Sequence, residues 1–324
     1  MSANRLSFSA LQGQEKAKRL LGRIFATQRL AHAYLFRGPD GVGKRLCAQL
    51  VAARLTCQQP TEAGACGGCQ SCRKHLSGNH PDFITVSPER STIKIDRIRE
   101  LCRSLGYPPY ESTVRTVVLE DVHTLRTEAA NSLLKTLEEP PEHNLLILTA
   151  ESSRAVLPTI LSRCQIIPFH PLSRDQTMLV LSNQEPDLAE SEAESLAAIA
   201  GGSPGLALVL RRQGIIELWR ELSTLLSGPA ADSADSIAAV LQAAERIADL
   251  KEYLPLLLDL LRFRIGNELN EQHQRSDLSR SESVRARLAA IDRAERRLAR
   301  NCNRTLVCEV LLFDLQSPEP RVSL

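Results

Sequence analysis

The segment Gly38-Pro39-Asp40-Gly41-Val42-Gly43-Lys44-Arg45 constrains this chain more than any other. It follows G-x-x-x-x-G-K, the phosphate-binding loop, as far as the lysine. Gly38, Gly41 and Gly43 allow backbone N–H groups to curl around an anion, and Lys44 can reach the outer phosphates. The motif then requires Ser or Thr, whose hydroxyl holds Mg²⁺, and Arg45 stands there instead. Ala33–Phe36 before the loop reads as a buried strand. Lys44 to Leu55 after it carries Leu46, Leu50, Val51 and Leu55 at helical spacing. Strand, glycine loop and helix in this order aim a helix N-terminus at an anion. The plain alternative is a glycine-rich turn without a ligand, which bears on nucleotide affinity more than on fold.

The strand–helix alternation continues. Phe83–Val86, Thr116–Leu119, Leu145–Leu148 and Gln165–Phe169 read as further strands. Ile93 to Leu105 reads as an amphipathic helix. Another runs from about Thr127, taken as its N-cap, to Glu139, where Pro140-Pro141 ends it. Such alternation predicts an α/β domain, a parallel sheet with helices on both faces. From about Leu172 the pattern is helical. Gly201–Gly205 marks a break, Gly228–Ser236 a polar connection, and Tyr253–Leu269 a leucine-rich helix. The expected division is an α/β domain over 1–170, a small helical lid over 171–212 and an all-helical domain over 213–324.

A net charge of +2 argues against a strongly basic nucleic-acid binder, and 4% aromatic residues against a base-stacking surface. No run of about 18 apolar residues suggests a membrane span. Met1 to Leu20 lacks a signal-peptide core. The expected location is therefore the cytoplasm, where disulfides are rare and the nine cysteines need another explanation. Cys57, Cys66, Cys69 and Cys72 supply one, as C-x8-C-x2-C-x2-C. Four thiolates in one short segment close a tetrahedral zinc site with no position open to substrate. Gly64, Gly67 and Gly68 supply its turns. This predicts a structural zinc module inserted at 57–80. Cys47, Cys102, Cys164, Cys302 and Cys308 are read as small apolar residues.

Glu120-Asp121 ends the third strand, at the place of a Walker B acidic pair. There the first carboxylate holds a metal-bound water and the second orients the attacking water. The usual order is Asp then Glu, and here it is inverted. Each carboxylate is displaced by about one methylene, and misplacement by about 1 Å can cost on the order of a hundredfold in rate. Solvated acids at a strand end are the plain alternative.

The loop, the four cysteines, the run Glu128–Pro141 (EAANSLLKTLEEPP) and Leu161-Ser162-Arg163-Cys164 together closely resemble bacterial clamp-loader subunits of the AAA+ class. The resemblance is strong over about residues 5 to 212. Beyond that the chain is similar only in length and helical character. It implies an AAA+ domain, a helical lid and a C-terminal collar domain. It also implies partnership with the γ/τ and δ clamp-loader subunits, and through them with the sliding clamp and primed DNA. Departures from the motor pattern point to a non-motor member. They are Arg45, the inverted Glu120-Asp121, and Gly205, which stands where a motor subunit carries an arginine. Lys44 survives, so nucleotide binding stays open. Arg163 resembles the arginine finger that such subunits project into a neighbour's site, where a finger in trans is worth roughly 10³–10⁵ in rate. A structural arginine at a helix end is its plain alternative.

The Arg-rich stretch Arg275–Arg304 carries an apolar stripe of Val284, Leu288, Ile291 and Leu298. A solvated helix face fits it better than a DNA-facing patch, because Asp277, Glu282, Asp292 and Glu295 dilute the charge. Two other functions stay open on sequence alone. One is an active γ/τ-type ATPase, and the other is a nucleic-acid-binding zinc protein.

Overall fold

The computed structural model describes residues 5–89, 92–153, 156–227, 233–273 and 278–316. The chain divides into two compact units, Met1–Leu208 and Val209–Leu324.

The first unit runs α1 (Glu15–Thr27), β1 (Ala33–Arg37), α2 (Lys44–Thr56), α3 (Gln70–Leu76), β2 (Phe83–Val86), α4 (Ile95–Leu105) and β3 (Arg115–Leu119). It continues with α5 (Thr127–Glu138), β4 (Asn144–Ala150), α6 (Pro158–Leu161), β5 (Gln165–Pro168), α7 (Arg174–Gln184), α8 (Glu190–Ile199) and α9 (Pro204–Arg212). The five strands form one sheet in the order β2-β3-β4-β1-β5, and every pairing is parallel.

Alternation along each strand feeds two separate cores. Tyr34 and Phe36 of β1 and Leu145 and Ile147 of β4 face one side, with Leu21 of α1 and Leu50 and Val51 of α2. Leu35, Leu146 and Leu148 face the other, with Ile98 of α4 and Leu133 and Leu137 of α5. This is the expected α/β architecture, with both faces of a parallel sheet covered. The central strands β3 and β4 are buried at every residue, which their near-continuous apolar runs already imply.

Two helix starts and one cysteine are among the differences from expectation. α4 starts at Ile95, because Ile93 forms a parallel bridge with Leu125 and Lys94 remains extended. That same bridge leaves Arg126, which makes no side-chain cap bond, as the N-cap of α5, so Thr127 is already helical. Cys302 is exposed, whereas Cys47 and Cys308 are buried as small apolar residues are.

The second unit is helical among its described residues: α10 (Ile215–Ser227), α11 (Ala234–Asp249), α12 (Leu254–His273), α13 (Leu278–Ala299) and α14 (Arg304–Gln316). α11 packs on α14, and α13 packs on both α12 and α14. Val284 and Ile291 of the Arg-rich helix are buried, while Leu288 and Leu298 are half-buried. Asp292 and Glu295 of this helix pair with Arg262 of α12, and Arg293 pairs with Asp314 of α14, so one arginine of the basic stretch is neutralised while two of its acids are taken up by another helix. Arg275, Asp277 and residues 228–232 of the expected polar connection lie outside the described residues. No single helix among the described residues is long and apolar enough to cross a membrane.

Candidate functional site

The glycine loop leaves the end of β1 and enters α2. Gly41 and Gly43 take the left-handed conformation, at φ +72° and +101°. Such values suit glycine and few other residues. Lys44 is buried, and its ammonium turns back on the loop. Nζ donates to the carbonyls of Gly38 at 2.6 Å and Pro39 at 3.0 Å, and to Asp40 Oδ1 at 2.6 Å. An ammonium has three donors. All three are therefore spent on the loop that was expected to present the lysine to phosphate.

The start of α9 is seated on the same loop. Ser203 Oγ donates to the Asp40 carbonyl at 2.7 Å, and the Gly205 N–H donates to the Gly41 carbonyl at 3.0 Å. The seat is tight enough that a Cβ on Gly205 would lie 2.6 Å from Gly41 Cα. Gly205 thus has a packing reason to be glycine, and an arginine there requires α9 to lift off the loop.

Glu120 follows β3 and is mostly buried. Its Oε2 accepts a bond from Ser87 Oγ at 2.6 Å. Its Oε1 forms an ion pair with Arg45 Nε at 3.1 Å, without hydrogen-bond alignment. The residue that displaces the Mg²⁺-binding hydroxyl thereby supplies its own cation to the acidic pair. Asp121 has φ 50°, and its N–H donates to Thr149 Oγ1 at 3.0 Å. Burial, reinforced by nearby Asp40, pushes the Asp121 carboxyl above the usual carboxylate range. An open cleft of ≈ 400 Å³ collects Gly41, Gly43, Lys44, Arg45, Glu120 and Asp121. The structure therefore brings the loop and the acidic pair together, with Arg45 bridging them.

Arg163 does not line that cleft. It sits just past α6, where NH1 donates to the Thr159 carbonyl at 2.9 Å and to Ser162 Oγ at 3.1 Å. NH2 pairs with Glu138 Oε1 at 2.6 Å. The side chain is 33% exposed.

The four cysteines converge at the C-terminal end of α2 and the start of α3. All four sulfurs lie within 4.8 Å of one another. The measured separations include Cys57–Cys72 at 3.6 Å, Cys66–Cys72 at 3.8 Å and Cys57–Cys69 at 4.0 Å. A tetrahedral site with Zn–S near 2.3 Å requires sulfurs about 3.8 Å apart, so the donor set fits a metal ion. Cys69 caps α3, its sulfur accepting the Cys72 N–H at 3.4 Å, a helix start that sequence reasoning missed. Backbone N–H groups of Gly68 and Cys69 bring the Cys66 thiol down to about 6. Burial pushes the Cys57 and Cys72 thiols up, so their thiolates need a cation.

A buried polar network under this module also escaped sequence reasoning. The His80 ring stacks on His75 with centroids 4.2 Å apart. His80 Nδ1 accepts from the Asp82 N–H at 3.2 Å, so its neutral ring carries the proton on Nε2, which faces Ser71 Oγ at 3.1 Å. Ser71 in turn donates to Thr56 Oγ1 at 2.9 Å, which faces His75 Nε2 at 2.8 Å. Asp82 is fully buried and accepts three N–H bonds, from Tyr110, Glu111 and Ser112. Burial alone raises its carboxyl, but these bonds outweigh that and hold it below the usual range. His80-Pro81-Asp82 reads in sequence as a turn before a strand, and nothing in its spacing reveals this anchor.

The family described as "DNA polymerase III, delta subunit" matches residues 13–173. A DNA polymerase III subunit delta' from Bacillus subtilis is 30% identical over 319 residues, 94% of this chain and 96% of that protein. A subunit delta' from Pseudomonas aeruginosa is 40% identical over 190 residues, which span 58% of each chain. The DNA polymerase III subunit tau of Escherichia coli is 35% identical over 222 residues, covering 67% of this chain but only 34% of that longer protein.

Proposed function

Because the chain belongs to the DNA polymerase III subunit delta' family, we propose that it is the non-hydrolysing subunit of a bacterial clamp loader. In this reading it joins γ/τ and δ subunits in an assembly that uses ATP to place the sliding clamp on primed DNA. The observation that carries the non-hydrolysing role is the Arg45–Glu120 ion pair. It sets a permanently charged guanidinium against the carboxylate that would otherwise serve Mg²⁺. The turned-in Lys44 and the seat of Gly205 on Gly41 support the same reading.

The proposed division of the chain is an AAA+ domain over 1–170 with its metal module at 57–80, a lid over 171–212 and a collar over 213–324. Arg163 is proposed to act in trans, placing a permanently charged planar guanidinium against the phosphoryl group transferred in a neighbour's site. Cys57, Cys66, Cys69 and Cys72 are proposed to hold a structural Zn²⁺, whose closed thiolate shell ties α2 to α3.

The reading is tested by ATP binding and hydrolysis of the purified chain beside the reconstituted assembly. Magnesium-dependent turnover by the chain alone, abolished by Lys44→Ala, would instead assign it an active γ/τ-type role. The tau likeness makes that the alternative to exclude.

A further inference from the structure

Arg163 is not a loose surface arginine. A guanidinium carries five N–H donors. Within this chain NH1 spends two of them, on Thr159 and Ser162, and NH2 spends one, on Glu138. Nε and the second N–H of NH2 have no described partner. The group is therefore held from one side, with donors left over.

The partner that holds it is placed by the core. Leu137 of α5 and Ile160 of α6 are both 1% exposed and share one apolar cluster. Each lies next to, or three residues from, its polar neighbour, Glu138 or Arg163. The ends of α5 and α6 are thus packed against each other independently of the ion pair. An exposed arginine otherwise samples many rotamers, and fixing it beforehand removes an entropic cost from the step it serves. An exposed pair of this kind contributes little to folding stability.

We propose that Glu138 is the positioning residue for Arg163. Its carboxylate directs the guanidinium outward from the α6 end with Nε–H and one NH2 hydrogen free to meet phosphate oxygens. The inference rests on the trans-finger reading of Arg163 and adds a residue that the reading does not name.

The test uses the whole complex, reconstituted from this chain with the δ and γ/τ subunits of the same organism. DNA-stimulated kcat and KM for ATP are measured for Arg163→Ala, Glu138→Ala, Glu138→Gln and the Arg163→Ala/Glu138→Ala pair. Glu138→Ala is expected to lower kcat about tenfold, as displacement of a reacting group by a fraction of an ångström does, with KM unchanged. Glu138→Gln, which keeps an acceptor oxygen at the same place, should recover most of the loss. In the Arg163→Ala background, Glu138→Ala should cost nothing further. An equal loss in that background, a raised kcat, or unchanged kcat with Arg163→Ala still damaging overturns the positioning role while leaving the finger intact. Unchanged kcat for Arg163→Ala overturns the finger, and this inference with it. Melting temperatures of the variant chains confirm that each is folded.

Discussion

Arg45 Nε lies 3.1 Å from Oε1 of Glu120, joining the first turn of α2 to the acidic pair at the end of β3. In a working site of this kind the two positions together hold Mg²⁺. Here one residue's charge answers the other directly. The carboxylate is mostly buried and the guanidinium largely exposed, so the arrangement neutralises Glu120 at the mouth of the cleft without sealing it.

Lys44→Ala is expected to reveal a lysine that serves structure. Its three bonds to Gly38, Pro39 and Asp40 hold the loop closed on itself. Removing them should cost roughly 1–3 kcal/mol, the range for bonds of a buried charged donor. Chemical denaturation with and without Mg-ATP checks this. The midpoint should fall in both conditions by the same amount, whereas a nucleotide-dependent difference would restore a ligand role to the lysine.

Gly205→Ala should destabilise the first unit, although alanine ordinarily favours a helix by about 1 kcal/mol over glycine. The added Cβ meets Gly41 Cα at 2.6 Å, contact with backbone that cannot rotate away. A loss of about 1–3 kcal/mol is expected for overpacking of this kind. Faster amide exchange at Gly205, whose N–H bonds the Gly41 carbonyl, is the accompanying signature. A stabilised variant would mean that α9 does not sit on the loop in solution.

Cys69→Ser should abolish metal binding. The Cys69 sulfur is one of four donors and also caps α3 through the Cys72 N–H. Elemental analysis of the purified wild-type chain should find one zinc per chain, and the variant should hold little. Chelation of the wild type should lower its melting temperature, since metal binding and folding of such modules are one equilibrium. Full retention of zinc by the variant contradicts the site.

Acid should weaken the packing beneath the metal module. Burial, with the neighbouring His80, brings His75 down from 6.5 to about 4, and His80 is lowered as well, mainly by burial. The folded state therefore keeps both rings neutral where the unfolded chain takes up protons. Their contribution is complete above pH 6.5 and is lost as pH falls from 6.5 toward 4. Each proton taken up on unfolding changes stability by about 1.4 kcal/mol per pH unit. Denaturant midpoints between pH 7.5 and 5 should fall on the acid side, and a flat profile would mean the rings are solvated. The charged groups facing His80 are Glu111, Asp82 and Lys74. The two carboxylates oppose the shift and the lysine adds to it.

Much of the sheet was legible because its strands are buried on both faces and so read as unbroken apolar runs, as at Leu145–Leu148 and Thr116–Leu119. The cysteine cluster was legible because its donors are close in sequence. What escaped depends on residues distant in the chain. Ser203 reaches Asp40 across 163 positions, and Ser87 reaches Glu120 across 33. Neither leaves a local pattern. Gly205 was legible only as a missing arginine, and its packing reason needed the position of Gly41. The short helix α3 escapes because the cysteines at its start carry a metal-site spacing rather than an apolar periodicity. Arg163 was visible as a triplet, while its bond to Glu138 needed the fold that joins α5 to α6.

As proposed, this chain is silent in its own cleft and acts on a neighbour's. The most direct measurement is steady-state, DNA-stimulated ATP hydrolysis by the reconstituted complex, wild type against Arg163→Ala, with the purified chain alone as reference. No turnover is expected from the chain alone. Removal of Arg163 is expected to cost the dependent neighbouring site on the order of 10³-fold or more. Unchanged hydrolysis in the Arg163→Ala complex, or magnesium-dependent turnover by the isolated chain, would contradict it.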